Sequence, residues 1–172
     1  MTAREHAWKV RPETGADTAA VRRVVLAAFP TPLEADLVDA LRADAAWLPG
    51  LSFVAETSGG EVGGYALLTR CRVGGDEALA LAPVAVLPSH QRTGAGGAAV
   101  RAALDAAAGR GERLVVVLGH PEYYPRFGFG RASRLGITAP FEVPDEALMA
   151  LVFSGAGPVP AGTIEYPAPF GV

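Results

Sequence analysis

The sequence predicts an α/β (α+β) protein built on a mixed, mostly antiparallel sheet, and three observations carry that prediction. Short segments of alternating or continuous apolar character, punctuated by Gly, Pro and Asp, read as strands. Three of them, between Leu51 and Leu87, follow one another through tight turns and so pair antiparallel. A helical segment then separates the Ala78–Leu87 strand from Leu114–Leu118. Such a strand–helix–strand unit makes those two strands parallel.

The elements follow in order. Met1 to His6 reads as a loose tail, and Ala7 to Arg11 alternates as a first strand ended by Pro12. Thr14-Gly15-Ala16-Asp17 is a capping-box variant opening a helix through Phe29, with Val21, Val24, Val25 and Ala28 on one face. Thr31-Pro32-Leu33-Glu34 starts a second helix, with Thr at N-cap, Pro at N1 and Glu at N3. Its buried stripe is Leu33, Leu37, Val38 and Leu41, and it stops before Pro49-Gly50. Leu51–Glu56 and Glu61–Arg70 flank a Ser58-Gly59-Gly60 hairpin turn, and Gly74-Gly75-Asp76 turns the chain into the next strand. After Leu118, Pro121 can start a short helix that Gly128 ends. Arg131–Thr138, Glu146–Ser154 and Ala161–Tyr166 read as strands, the last two joined by Gly155-Ala156-Gly157-Pro158.

The stretch from Ala78 to Ala108 organises the rest. Its apolar run suits a strand buried on both faces, yet Pro83 stands inside it. Proline has no N–H for a ladder, so a bulge or splay is expected between Pro83 and Val86, leaving backbone groups unpaired. Gln91-Arg92-Thr93-Gly94-Ala95-Gly96-Gly97 then leads into a helix marked by Val100, Leu104, Ala107 and Ala108. A glycine-rich turn opening a helix presents bare N–H groups and a positive dipole end, which together form an anion site. Gly94 to Ala99 also fits G-x-G-x-x-A. However, six residues separate Leu87 from Gly94, and no acid follows the next strand, so the dinucleotide fingerprint fits poorly. The Walker pattern is absent.

Composition narrows the function. A chain of 172 residues suits one domain, 1–172, and half of its residues are apolar, enough for a substantial core. The net charge of −3 without a basic cluster argues against nucleic acid. No apolar N-terminal leader and no run of ~18 apolar residues appear, so no membrane partner is expected. The single cysteine, Cys71, allows no internal disulfide, which suits the cytoplasm, and it has no neighbouring His to activate it. No metal site is expected.

Gln91, Gly94 and Gly96 meet the pattern Q/R-x-x-G-x-G/A, which resembles the pyrophosphate loop of the GNAT superfamily of acetyl-CoA-dependent N-acyltransferases. Tyr124-Pro125-Arg126-Phe127-Gly128-Phe129 matches the Y-x-x-x-G-F element that follows the fifth strand there. Glu34 to Arg42, Gly119 to Phe129 and Gly162 to Pro167 also look like a bacterial subgroup of predicted N-acetyltransferases, so the resemblance spans nearly the whole chain. It implies the GNAT fold, a splayed sheet with helices on both faces. It also implies acetyl-CoA as co-substrate and transfer of its acetyl group to a small-molecule or peptide amine, by a monomer or homodimer.

Carried onto this sequence, the resemblance implies that Val84, Ala85 and Val86 bind the pantetheine arm through their backbone. Gln91, Arg92, Thr93, Gly94, Ala95, Gly96 and Gly97 would hold the pyrophosphate. Tyr124 would protonate the departing thiolate. A phenol keeps its proton at neutral pH, with a reference pKa of ~10 against ~8.5 for a thiol. Adjacent Tyr123 fits the spacing less well. Two departures leave the general base open. Where many members have an Asn after the fifth strand, this chain reads Gly119-His120-Pro121-Glu122. The fourth strand, Ala78 to Ala82, carries no carboxylate. Glu56, Glu77, His120, Glu122 or water remain candidates. A non-catalytic acyl-CoA-binding module of the same fold is the alternative function. The second helix and the tail after Phe141 lie outside the cofactor motifs and are expected to shape the acceptor pocket.

Overall fold

The structure, a computed structural model, describes residues 8–155 and 157–172. The expected tail Met1–His6, the first residue of the expected first strand, Ala7, and the turn residue Ala156 lie outside them. Nine strands are present among the described residues: β1 (Lys9–Pro12), β2 (Trp47–Glu56), β3 (Val62–Val73), β4 (Asp76–Val86), β5 (Leu114–Leu118), β6 (Gly130–Arg131), β7 (Ile137–Thr138), β8 (Leu148–Val152) and β9 (Gly162–Glu165). They run in the order β1-β2-β3-β4-β5-β8-β6, with β9 pairing β3 and β7. Only β4–β5 and β7–β9 are parallel pairs.

Among the described residues, three α-helices cover the sheet: α1 (Thr18–Ala28), α2 (Leu33–Arg42) and α3 (Ala95–Gly109). The period-2 alternation of β3 decides which face each one meets. Ala66 and Leu68 point to the face that packs Ala99, Val100, Ala103 and Leu104 of α3. Tyr65 and Leu67 point to the opposite face, against Val21, Val24 and Val25 of α1 and Val38 and Leu41 of α2. Farther along that second face, Cys71, Ala78, Ala80 and Val116 are covered by Ala132, Ile137, Leu148 and Ile164 from the C-terminal segments. No helix among the described residues is long and apolar enough to cross a membrane.

Several boundaries differ from the sequence expectation. Pro12 ends β1 as a member of it, opposite Phe53, because an edge strand tolerates proline. β2 begins at Trp47, and the Pro49-Gly50 irregularity is absorbed as a register shift between Trp47 and Ser52. Helix α2 starts one residue later than expected. Pro32 is the N-cap, and Leu33 is 70% exposed rather than part of the stripe, which is carried by Ala35, Val38 and Leu41. Ala108 of α3 is exposed as well, Ala99 and Ala103 taking the buried positions. Arg131–Thr138 is not one strand. A 3-10 turn, Ala132–Leu135, ended by Gly136 at φ +73°, breaks it so that Ala132 and Ile137 both reach the core. Pro121 opens only a turn, and the 3-10 helix starts at Tyr124.

The decisive irregularity lies in β4. Its register against β3 runs from Leu68↔Leu81 to Ala66↔Val84, so Ala82 and Pro83 together oppose Leu67. This is a bulge, placed slightly before the expected Pro83–Val86, and Val84–Val86 return to register with β3. On its other edge β4 pairs with β5 only at Leu79↔Val115 and Ala80↔Val116. β5 meanwhile pairs along its full length with β8. The sheet therefore parts between β4 and β5. Leu87 N–H donates to Gly63 O at 2.9 Å, which makes Leu87 and Ala85 the residues bonded to β3. By the alternation of an antiparallel ladder, the N–H and C=O groups of Val84 and Val86 then point into the gap.

One ion-pair cluster ties the first strand and helix to this frame. Arg11 donates to both carboxylate oxygens of Asp17, at 2.7 and 2.9 Å, and to Glu56 Oε2 at 3.2 Å. Asp17 also accepts the Thr14 N–H at 2.7 Å, the reciprocal half of the expected capping box. The Arg11 hydrogen bonds hold the Asp17 carboxyl down at about 2, against an ordinary 3.8. A carboxyl lowered on folding adds stability above its unfolded value and loses that contribution as pH falls through the folded one. Asp17→Asn should therefore lower Tm at pH 7 by roughly 2–8 °C, the equivalent of about 1–2 kcal/mol. The difference from wild type should shrink as pH falls from 4 towards 2, as measured by thermal melts. A gap that is constant with pH would show that the charge of Asp17 contributes nothing.

Candidate active site

A cleft of about 1170 Å³ opens where β4 and β5 part. Its floor is Leu81 to Val86 of β4 and Leu118 at the end of β5. One wall is formed by the glycine turn with Arg101, and by Tyr123, Tyr124 and Arg126 after β5. The other comes from the end of α1 and from Glu34 and Leu37 of α2.

The glycine turn follows a short 3-10 helix, Pro88–His90. Gly94 is the N-cap of α3 at φ +90°, a conformation that disfavours a side chain. The first intrahelical bond is Ala98 N–H to Gly94 O at 2.9 Å, so the N–H groups of Ala95, Gly96 and Gly97 carry no helical acceptor. Gly96 permits close approach to the splayed strand, since a Cβ there would come within 2.9 Å of Val86 Cγ2. The helix N-terminus and the unpaired strand edge thus form one continuous lining. Arg92 adopts φ +64° without being glycine. The loop around it is braced from outside: Trp8 Nε1 donates to Thr93 O at 3.1 Å, and the Thr93 hydroxyl donates to His90 O. Trp8 and His90 meet edge-on at 5.1 Å, and His90 Nε2 contacts Glu61 Oε1 at 2.8 Å.

Of the residues singled out in the sequence, Val84, Ala85, Val86, Gln91, Arg92, Gly94, Ala95, Gly96, Gly97 and Tyr124 all line the cleft. Thr93 does not. Its hydroxyl and carbonyl are used in bracing the loop. Arg101 and Arg126 join them without having been singled out. Arg101 stands one helical turn after Gly97, with its guanidinium over Phe127 at 4.9 Å. Arg126 stacks on Tyr123 at 4.4 Å and donates through Nε to the Tyr123 carbonyl at 2.8 Å. The spacing Gly97-to-Arg101 is the one sequence signal that could have found Arg101, because residues four apart share a helix face.

Tyr124 opens the 3-10 helix Tyr124–Phe127 and packs its ring edge-on to Phe129 at 5.9 Å and to Tyr123 at 5.1 Å. Gly119 makes room for that ring, since a Cβ there would lie 2.5 Å from Tyr124 Cε2. Burial, reinforced by the neighbouring Tyr123, pushes the Tyr124 phenol up to about 12. Tyr123 is also raised by burial, and its hydroxyl sits beside Gly96, at the glycine-turn side of the cleft. Both phenols hold their protons at neutral pH.

Among the base candidates only His120 lines the cleft. Glu56 is bound by Arg11, while Glu77 and Glu122 are exposed away from the cleft. Cys71 is buried in the sheet, its thiol pushed up to about 12 by burial, and takes no part in the cleft. Among the described residues, no group of three His, Cys, Asp or Glu side chains is placed to hold a metal ion. Glu34, expected as a helix-capping residue, makes no cap bond and lines the wall opposite the arginines.

Known proteins resemble this chain in sequence and in fold. The family model described as acetyltransferase (GNAT) family matches residues 19–129. The chain is 40% identical over 135 residues to the uncharacterized N-acetyltransferase YjhQ of Escherichia coli K12, covering 76% of this chain and 74% of that protein. Its fold is similar to the crystal structure of the GNAT family N-acetyltransferase YhbS from Escherichia coli in complex with CoA, at TM-score 0.88 and 27% identity, over 96% of this chain and 92% of that one. It is also similar to a GNAT family acetyltransferase from Brucella melitensis in complex with acetyl-CoA, at TM-score 0.78 and 35% identity, over 96% and 99% of the two chains. The family model and the relative show that the chain belongs to the acetyltransferase (GNAT) family.

Proposed function

We propose that the whole chain, 1–172, works as one acetyl-CoA-dependent N-acetyltransferase domain, moving the acetyl group to a primary amine by direct attack. The observation that carries this reading is the joining of two unpaired backbone sets in one cleft: the strand groups of Val84 and Val86, and the helix-start N–H groups of Ala95 to Gly97. Pantetheine is a chain of amides that needs strand-like partners, and pyrophosphate is an anion that needs N–H donors. The cleft offers both in order, with Arg92, Arg101 and Arg126 adding positive charge. The complexes of similar proteins with CoA and acetyl-CoA support the same co-substrate.

In this mechanism the thioester lies where β4 and β5 part. A free N–H of β4 donates to its oxygen as charge develops there. The amine attacks the carbonyl carbon, and the thiolate leaves with a proton from Tyr124, whose ring stands at the end of β5. The Tyr123 hydroxyl sits beside Gly96 at the glycine turn, and the family spacing supports Tyr124 over Tyr123 as the acid. No covalent enzyme intermediate is needed.

Two substitutions test binding and chemistry separately. Gly96→Asp puts a side chain against Val86 and a negative charge among the N–H donors. The Kd for CoA should rise about tenfold or more, the equivalent of at least ~1.4 kcal/mol, in titration calorimetry. An unchanged Kd would remove the glycine turn as the pyrophosphate site. Tyr124→Phe keeps the ring and should leave CoA affinity and Tm nearly unchanged while lowering kcat about 100-fold. Tyr123→Phe should matter less. Normal turnover in the Tyr124 variant would remove its role as acid. CoA binding without turnover of any amine by wild type would favour the binding-module alternative.

A further inference from the structure

We propose that Glu34 receives the acceptor amine and takes its proton, and that an aromatic pocket behind the parted strands holds an apolar group carried by that amine. The proposal rests on the acetyltransferase reading and names its acceptor class: primary amines with an aryl or branched alkyl arm.

The first observation is an orphaned carboxylate oxygen. Glu34 Oε1 is shut off from solvent and has no hydrogen-bond partner among the described residues. The cap that would have satisfied it is missing, because Pro32 takes the N-cap position and no side chain caps the helix. A carboxylate oxygen withdrawn from water is costly unless a donor meets it, and best if that donor is charged. Glu34 lines the cleft, so a ligand can supply the donor once the carboxylate turns Oε1 into that space. The cleft's other charges are divided: Arg92, Arg101 and Arg126 stand on the side of the glycine turn, and Glu34 stands on the α2 wall. An anionic co-substrate and a cationic acceptor are thereby drawn to opposite walls.

The second observation is an apolar pocket of about 280 Å³ lined by Phe141, Tyr166 and Phe170. It shares Leu81, Ala82 and Leu118 with the cleft, so the two spaces meet at the parting of β4 and β5. Phe141 stacks on Tyr166 at 6.0 Å, and Tyr166 meets Phe170 at 5.1 Å. Helix α2 packs against the C-terminal turn Ala168–Phe170, bringing the helix of Glu34 and the aromatic walls to the same mouth. A cavity of ~150 Å³ lined by apolar side chains accepts benzene, so this one has room for a phenylethyl-sized group. A polyamine would set further cations in a pocket without a carboxylate to pair them.

The step balances as follows. The ammonium passes one proton to Glu34, and the freed lone pair forms the N–C bond at the thioester carbon. The C–S bond breaks, and the thiolate takes the Tyr124 proton. The second proton lost by the nitrogen returns through solvent to the Tyr124 oxygen, and Glu34 releases its proton to solvent as product leaves.

The test measures binding of 2-phenylethylamine, 2-phenylethanol and ethylamine to the CoA-loaded protein by calorimetry, then acetyl transfer from acetyl-CoA. Wild type should bind 2-phenylethylamine at least about tenfold more tightly than either of the others. Glu34→Gln should lose the preference for amine over alcohol while keeping CoA affinity and Tm. Equal binding of amine and alcohol by wild type overturns the role of Glu34 without recourse to a variant, as does a preference that survives in Glu34→Gln. Equal binding of 2-phenylethylamine and ethylamine overturns the aromatic pocket as the acceptor's. A Glu34-dependent amine preference without acetyl transfer would support the recognition proposal and overturn the acetyltransferase reading instead.

Discussion

The bulge at Ala82-Pro83 is the constraint on which the rest of the site depends. Two strands that begin as a parallel pair at Leu79↔Val115 would normally continue to their ends. They do not, because β4 stays with β3 beyond the bulge while β5 stays with β8. A bulge bends its strand and strengthens the local twist, so β4 is carried away from β5. Pro83, lacking an N–H, has no ladder bond to lose there. The open edge at Val84 and Val86 would be a liability in a purely structural sheet, as unpaired strand groups invite adventitious pairing. Here it lies inside a cleft, walled by helices and by the segment after β5.

The two glycines that matter act on that edge by different means. Gly94 lets the chain turn into α3 through a left-handed residue, and Gly96 lets the first turn of α3 press against Val86. Helix dipole and strand edge are therefore joined by steric fit rather than by hydrogen bonds. The bracing by Trp8, His90 and Glu61, of which His90 itself lines the cleft, fixes the loop that carries Arg92 at positive φ. Holding a non-glycine residue in that region costs of order 1 kcal/mol or more, which the surrounding contacts must offset.

What could be read from the sequence was what is local. The proline inside an apolar run, the glycine turn before a helix and the tyrosine four residues before Gly128-Phe129 are features of neighbouring residues, and each has a visible counterpart: a bulge at Ala82-Pro83, Gly94 as the N-cap of α3, and Tyr124 in the cleft lining. Pairing order was also accessible, because hairpin turns and a crossover helix fix which strands can meet. The remainder depends on tertiary contacts. Arg126 is held at the cleft by its stacking on Tyr123 and its hydrogen bond to the Tyr123 carbonyl, and the Thr93 carbonyl is taken by Trp8, far away in sequence. Arg131–Thr138 has the composition of a strand, yet the burial of both Ala132 and Ile137 required a turn between them. Glu34 had a sufficient local explanation as a capping residue, which concealed it until the observed helix start left its oxygen unpaired.

Net charge is a poor guide to this cleft. A chain at −3 should repel an anionic ligand, but exposed charges beyond ~8 Å are largely screened at physiological ionic strength. Three arginines and a helix start within one cleft outweigh a weak and distant field. The parted strands keep the two kinds of charge apart: the cations gather on the wall of α3 and the segment after β5, the anion on the wall of α2. Tyr124, whose phenol burial keeps protonated, lines the same cleft near the end of β5. The proposed roles divide accordingly: anion binding falls to the start of α3 and the arginines, amine binding to α2, and proton delivery to Tyr124, on the segment after β5 that also carries Arg126.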